Sequence, residues 1–279
     1  MVQRGIDSAL DLLSNETRFE IIAALASQRF SGGDTSGMTF TELFEAVSRD
    51  DSGNFNYHLK RLLDRLVTKT GERYRLSHGG VQLFSLLQAT TYAPGYQEVI
   101  PLDLSCPLCE QEVVGTYREG YFDIGCDGHL LLETYVHPTW IESLSTDEFL
   151  RRAGILLHHQ IEKIASGFCP LCNGSVGFTL QTDDDPYPIQ YHYPCKQCGT
   201  ELQLHPPQTV FHCVEIGQFY RNQRVELRET PPWELYETFG EMTMVNEDRA
   251  HVRFDLTVDG DTAVVTVDGQ GNVLSLEER

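Results

Sequence analysis

The chain has 279 residues, of which 41% are hydrophobic and 22% charged, so we expect most of it to fold into two or three domains. It carries 41 acidic and 21 basic residues, a net charge of −20, and only four of the cations are lysines. Its apolar runs, such as 21–26, are too short to span a membrane, and its start lacks the regions of a signal peptide, which predicts a soluble, cytoplasmic protein.

The charge is distributed unevenly along the chain. Residues 1–92 hold 10 basic and 11 acidic residues, whereas residues 93–279 hold 11 and 30. Within 51–75, six cations outnumber three acids, which is typical of a surface that contacts a polyanion. The acidic, lysine-poor composition is typical of salt-adapted proteins, although an acidic mesophile protein would share it. Because turn residues at 92–95 separate the two regimes, we predict one domain over 1–92 and another over 93–279.

Two helices are predicted first, an amphipathic one and a short one. Ser14-Asn15-Glu16 precedes apolar residues at helical spacing, and Thr39-Phe-Thr-Glu42 has the pattern of a capping box that opens a second helix. A polar turn follows at 48–53. The residues predicted to face the core are Phe19, Ile22, Ala23 and Ala26 of the first helix and Leu43, Phe44 and Val47 of the second.

A third helix, predicted over 54–66, has an apolar stripe and a polar face. At 100° per residue the stripe consists of Phe55, Leu59, Leu62 and Leu66. The remaining face offers two amides, a phenol and two cations, namely Asn54, Asn56, Tyr57, Lys60 and Arg61. Amides pair with adenine edges, and Arg and Lys pair with guanine or phosphate, so these five are candidate base contacts. His58 lies close to the stripe and is expected to pack.

Two alternating strands with a turn at 70–72 follow the third helix. Their cations, Lys69, Arg73 and Arg75, are candidate phosphate contacts. Helix, turn, helix and basic hairpin in this order predict a winged helix, with the third helix in the major groove of DNA and the hairpin on the backbone. The alternatives are that the charged face is only solvated, or that the domain contacts protein alone.

All eight cysteines lie after residue 93, and seven form two clusters. The second cluster is Cys169-Pro-Leu-Cys172 with Cys195-Lys-Gln-Cys198, separated by 22 residues. Two such pairs predict a tetrahedral thiolate zinc site, whereas disulfides would require an oxidising compartment.

The first cluster is Cys106-Pro-Leu-Cys109 with Cys126-Asp-Gly-His129, separated by 16 residues. It predicts a second zinc site with three thiolates and one imidazole, although His137 or Asp127 could replace a ligand or the site could bind weakly. Both zinc ions are expected to be structural, because four protein ligands leave no open position. Redox or metal sensing remains an alternative.

The two clusters predict an internal duplication. Cys-Pro-Leu-Cys recurs at an offset of 63 residues, the second pairs recur at an offset of 69, and His137-Pro138 is echoed by His205-Pro206. We therefore predict zinc-ribbon-like β units at about 100–138 and 168–206. A helix between them is expected to be capped by Ser145 and to end at Gly167, with Phe149, Ala153, Leu156, Leu157, Ile161 and Ile164 inward.

A three-stranded β-meander is predicted at about 250–277, with turns at Asp259-Gly260 and Asp268-Gly-Gln-Gly271. The expected fold class is thus α+β. Trp233 is expected to be a packing anchor and Cys213 a buried small residue. His158-His159 is expected at the surface, and the acidic triplet at 183–185 in a solvated loop.

Two runs, Leu10-Asp-Leu-Leu-Ser-Asn-Glu-Thr-Arg-Phe-Glu-Ile-Ile22 and Ser52-Gly-Asn-Phe-Asn-Tyr-His-Leu-Lys-Arg-Leu62, resemble ArsR-type winged-helix regulators of halophilic archaea. The duplicated ribbons and the C-terminal end resemble the zinc-ribbon domain fused to those regulators. The resemblance implies transcription regulation and a homodimer, with Val81, Phe84 and Leu87 in core or dimer contacts. Residues 1–92 contain no cysteine, so thiol-based sensing in that domain is not implied, and His129 replaces the cysteine expected in the family.

These observations predict a DNA-binding transcription regulator that is not an enzyme, binds double-stranded DNA as a homodimer and contacts the transcription machinery. The zinc-ribbon domain would serve structure, dimerisation or sensing. One alternative is a protein-interaction adaptor without an operator of its own, and a second is a zinc-dependent nucleic-acid enzyme.

Overall fold

The computed structural model describes residue 12 and residues 14–32, 36–47, 51–89, 97–182, 189–246 and 251–279. Within these ranges the chain is mixed α+β with four small antiparallel sheets, and it divides into two compact units, Met1–Ala93 and Pro94–Arg279. Part of the predicted polar turn (48–50), the turn residues at 92–95 and the acidic triplet at 183–185 lie outside the described residues. None of the described helices is both long and apolar enough to cross a bilayer.

The amino-terminal unit combines four helices with a three-stranded sheet of order β1-β3-β2 in its described part. Its elements are α1 (Glu16–Gly32), β1 (Met38–Thr39), α2 (Phe40–Val47), α3 (Ser52–Leu62), β2 (Val67–Thr70), β3 (Arg73–Leu76) and α4 (His78–Ala89). Its core includes Ile21, Ile22, Leu25, Leu43, Phe55, Leu59 and Leu62, all at most 2% exposed. Val81 and Phe84 of α4 pack against this core.

The starts of α1 and α2 confirm the predicted caps. Asn15 Oδ1 accepts the Arg18 N–H at 3.2 Å. In α2, Glu42 Oε2 accepts the Thr39 N–H at 2.7 Å and Thr39 Oγ1 accepts the Glu42 N–H at 3.3 Å, the two bonds of a capping box. The prediction that Phe19 faces the core was wrong, since it is 43% exposed. The buried stripe of α1 consists of Ile21, Ile22, Leu25 and Ala26, and its centre lies about a quarter turn away from Phe19.

Helix α3 is shorter than predicted, because it ends at Leu62 and not at residue 66. Asp64 has a φ of 61°, a left-handed conformation that cannot continue a helix, and its N–H bonds to the Val67 carbonyl at 3.0 Å. At the other end, Asp51 Oδ1 accepts the N–H groups of Gly53 at 2.8 Å and Asn54 at 3.1 Å. The cap and the turn fix the position of α3 before the hairpin.

The second unit contains three antiparallel sheets, three α-helices and two 3₁₀ turns within the described residues. Its strands are β4 (Gln97–Ser105), β5 (Glu112–Arg118), β6 (Tyr121–Gly125), β7 (Leu130–Tyr135), β8 (Thr179–Gln181), β9 (Gln190–Pro194), β10 (Glu201–Leu204), β11 (Phe239–Asn246), β12 (His251–Val258), β13 (Asp261–Val267) and β14 (Val273–Glu278). Its helices are α5 (Thr139–Ser143), α6 (Thr146–Ala165) and α7 (Val214–Asn222), with 3₁₀ turns at Pro206–Val210 and Glu234–Thr238.

Helix α6 contributes to both cores of this unit. Its amino-terminal part, up to Leu157, packs with the sheet β4–β7, and its last turns pack with the remaining strands through Ile161 and Ile164. Ser145 Oγ caps the helix by accepting the Glu148 N–H at 3.4 Å, as predicted. Trp233 is 2% exposed in the first of these cores, which confirms its assignment as a packing anchor.

The β units differ from the prediction in extent. The first is a four-stranded sheet that already begins at Gln97, and the second is a three-stranded sheet of order β10-β9-β8. The C-terminal meander has four strands and not three, because β11 pairs with β12. A register shift between Phe239 and Met242 puts these two apolar residues out of phase, so only the second half of β11 alternates regularly.

The placement of His158 at the surface was also wrong. Its Nε2 donates to the Thr230 carbonyl at 2.8 Å and its ring lies 6.1 Å from that of Phe211. Burial lowers the pKa of His158, so the imidazole is neutral at pH 7. The segment ending at Thr230 covers this side of α6, which the helical period alone could not indicate. Cys213 is half-buried at the start of α7.

Candidate functional sites

The second cysteine cluster brings four sulfurs together at one end of the β8–β10 sheet. Its ligand atoms, those of Cys169, Cys172, Cys195 and Cys198, lie within 4.8 Å of one another. The Sγ atoms of Cys169 and Cys198 are 3.7 Å apart, and those of Cys172 and Cys195 are 3.5 Å apart. These separations exclude disulfides, whose S–S bond is about 2.05 Å.

The spacing fits a tetrahedral metal ion. With Zn–S bonds of about 2.3 Å, the sulfurs of a tetrahedron lie about 3.8 Å apart, and a sulfur and an imidazole nitrogen lie about 3.5 Å apart. Both Cys/His clusters have ligand distances of this size, 3.5–3.7 Å. The two clusters can therefore hold two metal ions, and their donor sets are of the kind that zinc prefers.

Three of the four ligand pairs sit on the same backbone turn, which we call the knuckle. In each, the N–H of the first cysteine bonds to the carbonyl five residues on, and the N–H four residues on bonds back to that cysteine (Cys106 with Gln111, Cys169 with Gly174, Cys195 with Thr200). The residue four positions on is left-handed, namely Glu110 (φ 59°), Asn173 (φ 57°) and Gly199 (φ 75°). This geometry aims two sulfurs at one point.

Hydrogen bonds support two thiolates of the second cluster, Cys195 and Cys198. The Gly174 N–H favours ionisation of Cys172 as well, but burial and the neighbouring cysteines raise the pKa of Cys172 to about 12. The N–H groups of Gln197 and Cys198 point at Cys195 Sγ at 3.4 and 3.5 Å. The hydroxyl and N–H of Thr200, together with Cys195, lower the pKa of the Cys198 thiol to about 6. At neutral pH this group is thus mostly ionised, the state in which a cysteine binds metal.

A lysine from α6 holds the first knuckle of this cluster, a contact that the sequence analysis missed. Lys163 Nζ donates to Asn173 Oδ1 at 2.6 Å and to the Pro170 carbonyl at 3.3 Å. Gly174 lies so close to the other knuckle that a Cβ there would meet Gln197 Oε1 at 2.2 Å. In the sequence, Gly174 is the signal that could have indicated the close packing of the two knuckles.

The first cluster is assembled at one end of the sheet β4–β7, with its ligand atoms again within 4.8 Å. His129 Nδ1 lies 3.5 Å from the sulfurs of Cys106 and Cys126, and the sulfurs of Cys109 and Cys126 are 3.5 Å apart. The alternative ligands do not join the cluster. His137 Nδ1 instead accepts the Thr139 N–H at 3.3 Å at the start of α5, and Asp127 is exposed.

The ligand pair that contains His129 has a different backbone from the three knuckles. Cys126 and His129 exchange both backbone hydrogen bonds, at 3.0 and 3.3 Å, which makes a two-residue turn of Asp127 and Gly128. Burial opposes ionisation here, but the Gly128 N–H and the neighbouring Cys109 lower the pKa of Cys126 to about 7. The imidazole, which is longer than a thiol, thus reaches the metal position from a tighter turn.

The two clusters have a similar arrangement of ligand turns and strands. In the first copy the knuckle joins β4 to β5 and the tight turn joins β6 to β7. In the second copy a knuckle lies between the bridged residues Phe168 and Ser175, and another joins β9 to β10. The predicted echo of His-Pro is also present, since His137 precedes α5 and His205 precedes the 3₁₀ turn.

The outer face of α3 is open in the amino-terminal unit. Tyr57 is 57% exposed, Asn54, Lys60 and Arg61 are exposed, and Asn56 is half-buried. The opposite side of the helix contributes Phe55, Leu59 and Leu62 to the core. The rings of Tyr57 and His58 meet edge to face at 5.2 Å, which restricts the rotation of the phenol.

The three hairpin cations do not share one face. Lys69 pairs with Tyr74 in the β2–β3 register, and its Nζ lies 5.0 Å from the Tyr74 ring centroid. Arg73 and Arg75 lie on the other face. Arg73 Nη1 donates to the Gly37 carbonyl at 2.7 Å and lies 3.5 Å from Glu42 Oε2, so it connects the hairpin to β1 and α2. Arg75 contacts Thr68 Oγ1 weakly, at 3.4 Å.

Comparisons with known proteins divide the chain into the same two parts as the fold does. Residues 6–87 match the model of a domain of unknown function, DUF7347, and residues 103–273 match that of another, DUF7351. No curated protein and no solved structure gives a significant match. Because the second match covers more than half of the 279 residues, the chain belongs to the DUF7351 family.

Proposed function

We propose that this protein is a DNA-binding transcription regulator of the ArsR-like winged-helix type. The observation that carries the proposal is the exposed polar face of α3 (Asn54, Asn56, Tyr57, Lys60 and Arg61) next to a basic hairpin. A helix with amides and cations on its open face can read base edges in the major groove of double-stranded DNA.

The element order supports a winged helix. Helices α2 and α3 follow each other directly, and the hairpin β2–β3 that comes next is extended by β1 into a three-stranded sheet. In this proposal α3 enters the major groove, while Lys69 and Arg75 contact phosphates on either side of the hairpin. Arg73 would hold the hairpin against Gly37 and Glu42, and its phosphate contact would be secondary.

The metals of the second unit are proposed to be two structural zinc ions. Three thiolates with an imidazole, and four thiolates, are the donor sets that zinc takes in structural sites, and four protein ligands leave no position for a substrate. When bound, zinc would cross-link the knuckles at the ends of two small sheets. Metal analysis of the purified protein, with two equivalents of zinc expected, tests this assignment.

A homodimer and an oriented complex follow from the same proposal. Two copies would place two α3 helices on two half-sites of one operator. The 93–279 region has 30 acidic and 11 basic residues, so DNA should repel it, and it would be held away from the duplex for signal sensing or partner contact.

The test is operator mapping followed by charge removal. Chromatin mapping should yield a sequence motif, and the variant Lys60→Ala should weaken binding to that motif by about 1–3 kcal/mol because a base or phosphate contact is lost. Lys69→Ala with Arg75→Ala should weaken all duplexes alike and reduce the slope of log K against log salt concentration by about 2. Fluorescence anisotropy at several salt concentrations measures both.

Arg253→Ala, which removes an exposed cation from the second unit, is the matched control and should leave affinity unchanged.

A second candidate, a protein-interaction adaptor, is favoured by the apolar side chains exposed on the sheet β4–β7, where Tyr121 and Tyr135 are cross-strand neighbours. An adaptor would show no sequence motif in chromatin mapping, and its DNA affinity would be insensitive to Lys60→Ala.

A further inference from the structure

We infer that the two metal centres are not equivalent, and that the centre of Cys106, Cys109, Cys126 and His129 exchanges its metal while the four-cysteine centre keeps it. The first centre would thus be a responsive site for a divalent, thiolate-binding metal such as zinc. The inference rests on the proposed zinc occupancy and assigns the regulation within it.

The backbone of the two centres differs in strain. The left-handed position of each knuckle is taken by Glu110 in the first centre, but by Asn173 and Gly199 in the second. Glycine adopts this conformation freely and asparagine tolerates it, whereas a glutamate pays a steric penalty. The first centre must therefore impose on its knuckle a conformation that the chain resists, and metal loss releases that strain.

The charge around the two centres differs as well. A divalent ion with four thiolates carries a net charge of −2, and with three thiolates and a neutral imidazole a charge of −1. At the second centre Lys163 contacts one knuckle and Lys196 lies within the other, so two of the four lysines compensate this charge, and Glu201 is there the counterpart of Glu112. The first centre is flanked by three exposed carboxylates, Glu110, Glu112 and Asp127, which add to the negative charge.

The ligands of the two centres are also held differently. The second centre has two buried and two exposed ligands, whereas in the first Cys106 is buried, Cys109 is exposed and the other two are half-buried. The carboxylates adjacent to the exposed Cys109 offer oxygen donors to an outgoing ion. In the second centre Lys163 clamps the knuckle through Asn173 and the Pro170 carbonyl. Backbone strain, charge and the absence of a lysine clamp favour exchange at the first centre.

The experiment follows zinc release from the full-length, zinc-loaded protein into an excess of a chromophoric chelator. We expect two phases of one equivalent each, with the fast phase about tenfold faster than the slow one. In Cys109→Ser the fast phase should be missing, while the slow one remains. In Glu110→Gly, which removes both strain and charge, the fast phase should slow severalfold while the slow phase is unchanged.

Glu119→Gly is the matched control. Glu119 is also an exposed glutamate with positive φ (52°), but it lies in the β5–β6 turn, at the end of those strands away from the ligands. Its release kinetics should equal those of the wild type. Cobalt returned to the zinc-depleted protein should first refill the slow site, which the stronger thiolate absorption of a four-cysteine centre identifies.

Several outcomes would overturn the inference: release in one phase, a fast phase that survives Cys109→Ser, acceleration by Glu110→Gly, or a protein that binds no zinc. DNA binding is measured separately in the operator assay. If operator binding failed while release remained biphasic, the regulator proposal alone would be wrong. If the protein bound its operator but released zinc in one phase, only the inferred difference between the centres would be wrong.

Discussion

At the scale of single residues, the second unit buries an imidazole in its neutral form. His205 is 8% exposed, its ring lies 5.8 Å from that of Tyr236, and burial lowers its pKa to about 4 even though a backbone hydrogen bond at Ile189 opposes the shift. The backbone N–H of His205 donates to Gln208 Oε1 at 2.7 Å at the start of the 3₁₀ turn. The site therefore favours the neutral ring, and protonation should act against the folded state.

We predict that His205 destabilises this unit in mild acid. An unfolded histidine has a pKa of about 6.5, so the unfolded chain binds the extra proton between pH 6.5 and pH 4, and stability falls as the pH is lowered through that window. The loss should be about 1 kcal/mol between pH 7.5 and 5.5. Urea unfolding of wild type and His205→Gln at both pH values, followed by tryptophan fluorescence, measures it, because Trp140 and Trp233 both lie in this unit.

Protonation of the metal thiolates also lowers stability in acid, so the informative quantity is the difference between the two proteins. The wild type should lose about 1 kcal/mol more than His205→Gln over this range. His159→Gln, which changes an exposed histidine, serves as the control and should behave as the wild type. Equal acid sensitivity in all three proteins would contradict the role of His205.

At the scale of elements, the position of α3 depends on its amino-terminal cap. Asp51 accepts two backbone hydrogen bonds and places a carboxylate at the positive end of the helix. We predict that Asp51→Ala destabilises the first turns of α3 by about 1 kcal/mol. Hydrogen exchange of the full chain, read by mass spectrometry, should show about fivefold faster exchange in peptides that cover 52–62.

Glu72→Ala is a suitable comparison, because it removes the same charge from the exposed turn between β2 and β3. It should leave exchange in α3 unchanged. If both variants changed exchange in α3 to the same extent, the effect would come from charge and not from the cap. Since α3 carries the candidate base contacts, Asp51→Ala should also weaken operator binding.

Elements whose signals are local could be predicted from the sequence. The capping box at Thr39 and Glu42, the cap at Ser145, and the ligand spacings each depend on residues within a few positions of one another, and all three were confirmed. Features that depend on residues far apart in the sequence could not be predicted. The covering of His158 by the segment at Thr230, and the tie between Arg73 and the Gly37 carbonyl, appear only when the fold brings remote residues together.

Strand β11 was missed for a different reason. The bulge that shifts its register against β12 puts Phe239 out of phase with Met242 and Met244, so the period of two on which strand prediction depends covers only part of the strand. The end of α3 was misplaced because Leu66 continues the apolar stripe at helical spacing, although Asp64 turns the backbone before it. In both cases a local conformation overrides a regular pattern.

At the scale of the whole molecule, the charge is concentrated on one of the two units. Residues 93–279 carry a net charge of −19 and residues 1–92 carry −1. Few of the carboxylates can be neutralised by ion pairs, since this region has only 11 basic residues. The second unit therefore folds against its own repulsion, which salt should relieve.

We predict that potassium chloride stabilises the second unit steeply at low concentration. The Debye length falls from about 10 Å at 0.1 M to about 3 Å at 1 M, so repulsion between exposed carboxylates is largely screened within this range. The melting midpoint of tryptophan fluorescence, which reports on this unit, should rise most below 1 M and then level off. Hydrogen exchange in α1, in the nearly neutral unit, should change little over the same range, because it has little net charge to screen. A midpoint that stayed constant or fell between 0.05 and 1 M would mean that the surface charge does not limit stability, and that the acidic composition has another cause.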